Sequence, residues 1–90
     1  MSGETPNDEL AKQMASAKSQ VSVGAKYLHS KSSAEYLVTD LAFFSEDTNQ
    51  IFVVYKQLYG DELSFARPIE MWNEWVEISG KKIPRFTMIK

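Results

Sequence analysis

EYLVTDLAFF (35–44), SEDTNQ (45–50) and IFVVYKQL (51–58) are the stretch on which the fold turns. The outer segments are dense in β-branched and aromatic residues, and the middle one is built of turn formers. Together they predict a β-hairpin with its loop over 45–50. Downstream, YGDE (59–62) predicts a second tight turn, with Gly60 and Asp61 supplying the turn chemistry. LSFAR (63–67) reads as a third strand, ended by Pro68. PIEMWNEW (68–75) lacks alternation, and Pro68 suits the first position of a helix, so one short helical turn is expected there. VEI (76–78) and PRFTMI (84–89) read as short strands around the turn SGKK (79–82). Upstream, VSVGAKYLH (21–29) reads as the opening strand, with Gly24 at a bulge or bend.

Five or six short strands in about 70 residues are too few for a large two-sheet sandwich. A small, strongly bent barrel is the economical solution. The order of long-loop hairpin, tight hairpin, short helical turn and final strand is that of an SH3-like barrel. The expected class is therefore mainly β: an SH3-like barrel over residues 21–90, with an N-terminal helix or disordered tail over 1–20.

Both faces of the central strand are apolar. Ile51, Val53 and Tyr55 occupy one side, and Phe52, Val54 and Leu58 the other. A barrel interior covers only one of these sets, so the other must meet a helix, a partner or a ligand. The N-terminal helix is one candidate cover and a second copy of the chain is another.

Residues 1–20, MSGETPNDELAKQMASAKSQ, contain no aromatic residue, and Thr5 is their sole β-branched one. Helix formers dominate, Thr5 can cap, and Pro6 and Asp8 suit the first turn, so a helix is predicted over about 6–19. Its apolar stripe is thin, made of Leu10, Met14, Ala17 and Val21. An isolated helix of this length is marginal in water, so it docks or frays.

Composition narrows the function classes. Ninety residues make one small domain, and at 43% hydrophobic and 12% aromatic it can pack a core. Ten basic and twelve acidic residues give a charge of −2, which argues against a general nucleic-acid binder. No apolar run approaches the roughly 20 residues of a membrane span. The polar start MSGETPNDEL lacks the apolar region of a signal peptide, so a cytoplasmic location is expected. The absence of cysteine removes disulfides, thiolate nucleophiles and zinc ribbons.

Several spaced residues resemble the bacterial family known as domain of unknown function 1653. A Tyr-x-His-x-Lys segment is matched by Tyr27, His29 and Lys31. A long strand-and-loop pattern is matched by Tyr36, Val38, Ala42, Ser45 and Glu46. Val53-Val54-Tyr55, Leu58-Tyr59-Gly60-Asp61, Arg67-Pro68 with Met71 and Trp72, and Gly80 with Pro84-Arg85-Phe86 follow in the family's order. The chain departs from the pattern at Asp40, where the family has glycine, at Phe44, where it has a loop histidine, and at Phe65-Ala66, where it has Trp-Val. The resemblance covers roughly residues 24–89 and implies a small SH3-like barrel without an assigned activity.

His29 is the only histidine, and without cysteine a metal site would need it plus several carboxylates. The acidic pairs Glu46–Asp47 and Asp61–Glu62 bound opposite ends of a strand of about 26 Å, so they cannot share a metal. No phosphate-cradling glycine motif occurs. No metal or cofactor is therefore expected. Arg67 and Arg85 each adjoin a proline in aromatic sequence, which suits bidentate recognition of a carboxylate or phosphate. The structural alternative is an internal salt bridge to Glu70, Glu74 or the Glu46–Asp47 loop. Trp72 and Trp75 are spaced to share a helical face, one for the core and one for a ligand or partner. Counting strands places Arg67 beside Glu46. The expected ligand surface therefore centres on Arg67, with Trp72, Arg85, Glu46, Tyr59 and His29 as candidates. Three readings stay open: a binding module for an anionic ligand or peptide, a structural or regulatory homodimer subunit, and a small hydrolase using His29.

Overall fold

The computed structural model describes residues 6–89. The helix α1 (Asn7–Gln20) is followed by β1 (Lys26–His29), β2 (Glu35–Phe44), β3 (Asp47–Gln57) and β4 (Ser64–Pro68). A single helical turn α2 (Ile69–Trp72), then β5 (Trp75–Ile78), β6 (Lys81–Pro84) and β7 (Phe86–Ile89) complete the chain. The protein is mainly β, as its sequence predicts. The strands pair antiparallel in a five-stranded sheet of order β4-β3-β2-β1-β7 and a two-stranded β5-β6 hairpin.

Among the described residues the strands number seven rather than five or six. The segment read as one strand over 84–89 is divided at Arg85, which leaves Pro84 in β6 and Phe86 in β7. The loop expected over 45–50 shrinks to Ser45 and Glu46, because Asp47–Gln50 already belong to β3. A register shift between Phe43 and Phe44 absorbs these polar residues, and Asp47 Oδ1 accepts the Asn49 N–H at 3.1 Å. A second shift, between Val38 and Asp40, leaves Thr39 unpaired in the ladder, and its hydroxyl donates to the Val54 carbonyl. Such bulges increase local twist and bend a sheet. Gly24 lies not within a strand but in the turn before β1, where φ of +88° suits a residue without Cβ.

One face of β3 makes the core. Ile51, Val53 and Tyr55 are buried with Val38 and Leu41 of β2, Tyr27 of β1, Phe86 of β7, and Ile69 and Trp72 of α2. The helix α1 joins this same face through buried Ala17, with Val21 and partly buried Met14 beside it. The predicted stripe is thus the docking stripe. Thr5, the expected cap, lies outside the described residues, and Pro6 precedes the first helical residue. Because α1 packs on the core side, the Phe52–Val54 face of β3 stays partly open, and Phe44 at its end is 40% exposed.

The topology leaves β4 at a free border. Gln57 N–H donates to the Leu63 carbonyl at 3.0 Å, which fixes the alternation along the β3–β4 ladder. Opposed residues exchange both bonds only at every second position. Phe65 and Arg67 therefore turn their peptide groups towards β3, while Ser64 and Ala66 turn theirs outward. Pro68 closes the strand and has no N–H to offer.

Candidate functional site

Phe86 is the hub of an aromatic cluster on the core side of the sheet. Trp72 stacks on one face of its ring, with centroids 3.7 Å apart and planes 3° from parallel. His29, Tyr36 and Tyr55 meet it edge-on at 5.0, 6.0 and 5.9 Å. The guanidinium carbon of Arg67 stands over the ring, 5.4 Å from its centroid. Edge-to-face and offset aromatic contacts and cation–π contacts are each favourable by about 0.5–1.5 kcal/mol. In a flat sheet, β4 and β7 would stand four strand spacings, about 19 Å, apart. The contact between Arg67 and Phe86 therefore reports how tightly the sheet curls.

Arg67 is half-buried, and among the described residues it makes no ion pair. Glu46 does not serve it. Arg67 lies opposite Val53, whereas Glu46 sits at the tip of the β2–β3 hairpin and bonds Ser45. The β2 partners of Val53 and of Asp47, Leu41 and Phe44, stand three residues apart, about 10 Å along the strand. The sequence reading placed Glu46 beside Arg67, but the two form no ion pair among the described residues. Arg85, by contrast, takes the expected structural partner: it donates to Glu74 Oε1 at 2.9 Å.

His29 faces this cationic corner. Partial burial, and then Arg67, Arg85 and Lys31, lower its pKa below 6.5. It is therefore neutral at pH 7. Its Nδ1 accepts the Ser32 N–H at 3.3 Å, with Ser32 Oγ at 3.2 Å, so the neutral ring carries its proton on Nε2. The Ser32–His29 pair closes a single turn, and the lowered proton affinity opposes a general-base role.

Tyr36 extends the cluster towards Tyr59. Its hydroxyl lies 3.0 Å from that of Tyr59, which accepts Gln57 Nε2–H at 3.3 Å. The bond to Tyr59, and then burial, push the Tyr36 pKa up to about 12, so it remains a phenol. A bond that raises the Tyr36 pKa is one in which Tyr36 donates to Tyr59, so its O–H is engaged there. Phe65 (42% exposed) and Tyr59 (45%) border this corner, and Phe65 lies against Tyr55 at 5.9 Å.

Of the six candidates read from sequence, Arg67, His29, Tyr59 and Arg85 gather here. Trp72 gathers too, but at 3% exposure it supports the ring from behind and offers no surface to a ligand. Nor do the two tryptophans share a helical face: α2 ends at Trp72, and Trp75 opens β5 at 64% exposure. Sequence reasoning missed Tyr36, Phe65 and Phe86 as one group with Arg67. Only their alternation on β2, β4 and β7 marks them as sharing a face. No group of three or more possible metal ligands occurs among the described residues. A cleft of about 240 Å³ between α1 and α2, lined in part by Gln13, Asn49 and Ile51, is a separate feature.

Residues 25–88 match the family model described as a protein of unknown function, DUF1653. The crystal structure of a DUF1653 protein from Bordetella bronchiseptica is similar, with 30% sequence identity and a TM-score of 0.66. The likeness covers 78% of this chain and 90% of that one. No curated protein matches the sequence.

Proposed function

The chain belongs to the DUF1653 family, and we propose that this member is a binding module that grips an anionic group at Arg67. One observation carries this reading: a half-buried guanidinium over Phe86 with no carboxylate partner among the described residues. Natural folds rarely leave a partly desolvated cation without a counter-charge, and an arginine supported by an aromatic ring is suited to a carboxylate or phosphate. The His29 Nε2–H adds a neutral donor beside the guanidinium for an acceptor-rich ligand. Phe65 and Tyr59 give its apolar part a surface. No described helix is long and apolar enough to cross a membrane.

Titration with benzoate and with inorganic phosphate, followed by the imidazole resonances of the single histidine, tests the reading. A bound anion favours the imidazolium, so the His29 pKa should rise as ligand is added, and Arg67→Ala should abolish the effect. Saturation that is equal in wild type and Arg67→Ala would place the anion elsewhere. Dimerisation is a second reading, supported by the open Phe44–Phe52 surface. Sedimentation of wild type and Phe52→Ser would test it.

A further inference from the structure

We infer that the outward border of β4 takes an extended peptide as an added antiparallel strand, with a carboxylate of that peptide delivered to Arg67. This rests on the reading of Arg67 as an anion site and names the partner that brings the anion. Three observations on one short segment combine. Ser64 and Ala66 turn their N–H and C=O groups away from β3, and no other strand pairs with β4 among the described residues. Leu63 and Phe65, which lie on either side of Ser64, are 55% and 42% exposed. Arg67, two residues further on, carries a charge without a carboxylate partner among the described residues.

Strand addition uses main-chain bonds for affinity and alternate side chains for selection. An incoming strand that bonds to Ser64 and Ala66 places its other residues opposite Leu63, Phe65 and Arg67, on the aromatic side. Antiparallel, it then reads acidic, any, apolar, any, apolar from its N-terminus. Pro68 has no N–H, so it sets the boundary at the acidic end. The apolar residues cover Phe65 and Leu63, and the acid reaches the guanidinium beside the His29 ring. Charge complementarity selects this occupant over a second copy of β4, which, bonded antiparallel through Ser64 and Ala66, would set its Leu63 rather than an acid opposite Arg67.

The probe is acetyl-Glu-Thr-Val-Thr-Val-amide, titrated into the full chain by calorimetry and amide NMR, with benzoate as the small-anion control. The expected result is saturable binding with the largest amide shifts at Ser64 and Ala66. Replacing the probe's Glu by Gln, or substituting Arg67→Ala, should weaken binding at least tenfold. Ala66→Pro removes one outward N–H without touching a bond to β3. It should abolish peptide binding while benzoate still binds. Should that variant fold poorly, a probe N-methylated at the residue opposite Ala66 performs the same test on wild type. If Ala66→Pro or the N-methylated probe binds as well as the parent pair, the added strand is refuted and the anion site survives. If benzoate also fails to bind wild type, the anion reading falls with it. Tighter binding of an oligonucleotide, with no response to the peptide, also overturns the proposal.

Discussion

Substituting Trp72 by alanine tests whether the site is built on a stacked aromatic hub. Trp72 is 3% exposed, lies parallel to Phe86 at 3.7 Å, and meets Tyr27 and Tyr55 edge-on at 5.3 and 5.0 Å. Truncating a buried tryptophan to alanine costs about 3–5 kcal/mol in lost transfer energy and residual cavity. A chain of this length has about 5–13 kcal/mol of stability in all. Each kcal/mol shifts the midpoint of so small a domain by about 4–8 °C. Trp72→Ala should therefore lower Tm by well over 10 °C, with lost near-ultraviolet circular dichroism as the aromatic cluster loosens. Trp75, at 64% exposure, is the internal control, and Trp75→Ala should change stability by less than about 0.5 kcal/mol. Thermal and urea denaturation of the two variants gives the comparison directly. Equal losses, or a Trp72→Ala variant within a few degrees of wild type, would refute the stacked hub and with it the placement of Arg67 over Phe86.

Three further outcomes are expected. Because His29 has a folded pKa below its ordinary 6.5, the unfolded chain binds its proton first. Its contribution to stability is full above about pH 6.5 and is lost as pH falls from there through the folded value, which urea midpoints between pH 8 and 5 should show and His29→Gln should flatten. Tyr59→Phe removes the main cause of the raised Tyr36 pKa, so spectrophotometric titration should show the phenol near 12 move down towards 10, with an unmoved titration counting against the hydroxyl pair. Deleting residues 1–20 should leave the sheet folded with about 1–3 kcal/mol less stability, since within α1 only Ala17 is fully buried and Met14 partly so; a deletion that unfolds the sheet would make α1 part of the essential core.

What was legible in the sequence followed from local chemistry. The β-branched runs of β2 and β3, the Gly60 turn and the Pro68 start of α2 each carry their own signal, and each formed where expected. The polar residues Asp47–Gln50 carried a turn signal, yet pairing across a bulge drew them into β3. The meeting of Arg67 with His29 and Phe86 was not legible, because it joins β4 to β1 and β7 across the whole sheet order. Strand curl decides such contacts, and curl arises from bulges that propensity does not reveal. Sequence did distinguish the arginines as candidates, through their proline and aromatic neighbours. It could not say that Arg85 takes Glu74 while Arg67 has no carboxylate partner among the described residues.

Pro68 bears on how this protein behaves when crowded with copies of itself. A strand border that is open along its whole length can template the next molecule, and the next, until a filament grows. Here the outward ladder offers only Ser64 and Ala66 before the imide ring of Pro68 interrupts it. Two residues with bonding groups facing out are enough to hold a short visitor that brings its own carboxylate. They are too few to nucleate fibre growth. The proline thus lets recognition by strand addition coexist with resistance to polymerisation, and concentrated Pro68→Val protein should be the variant that gels.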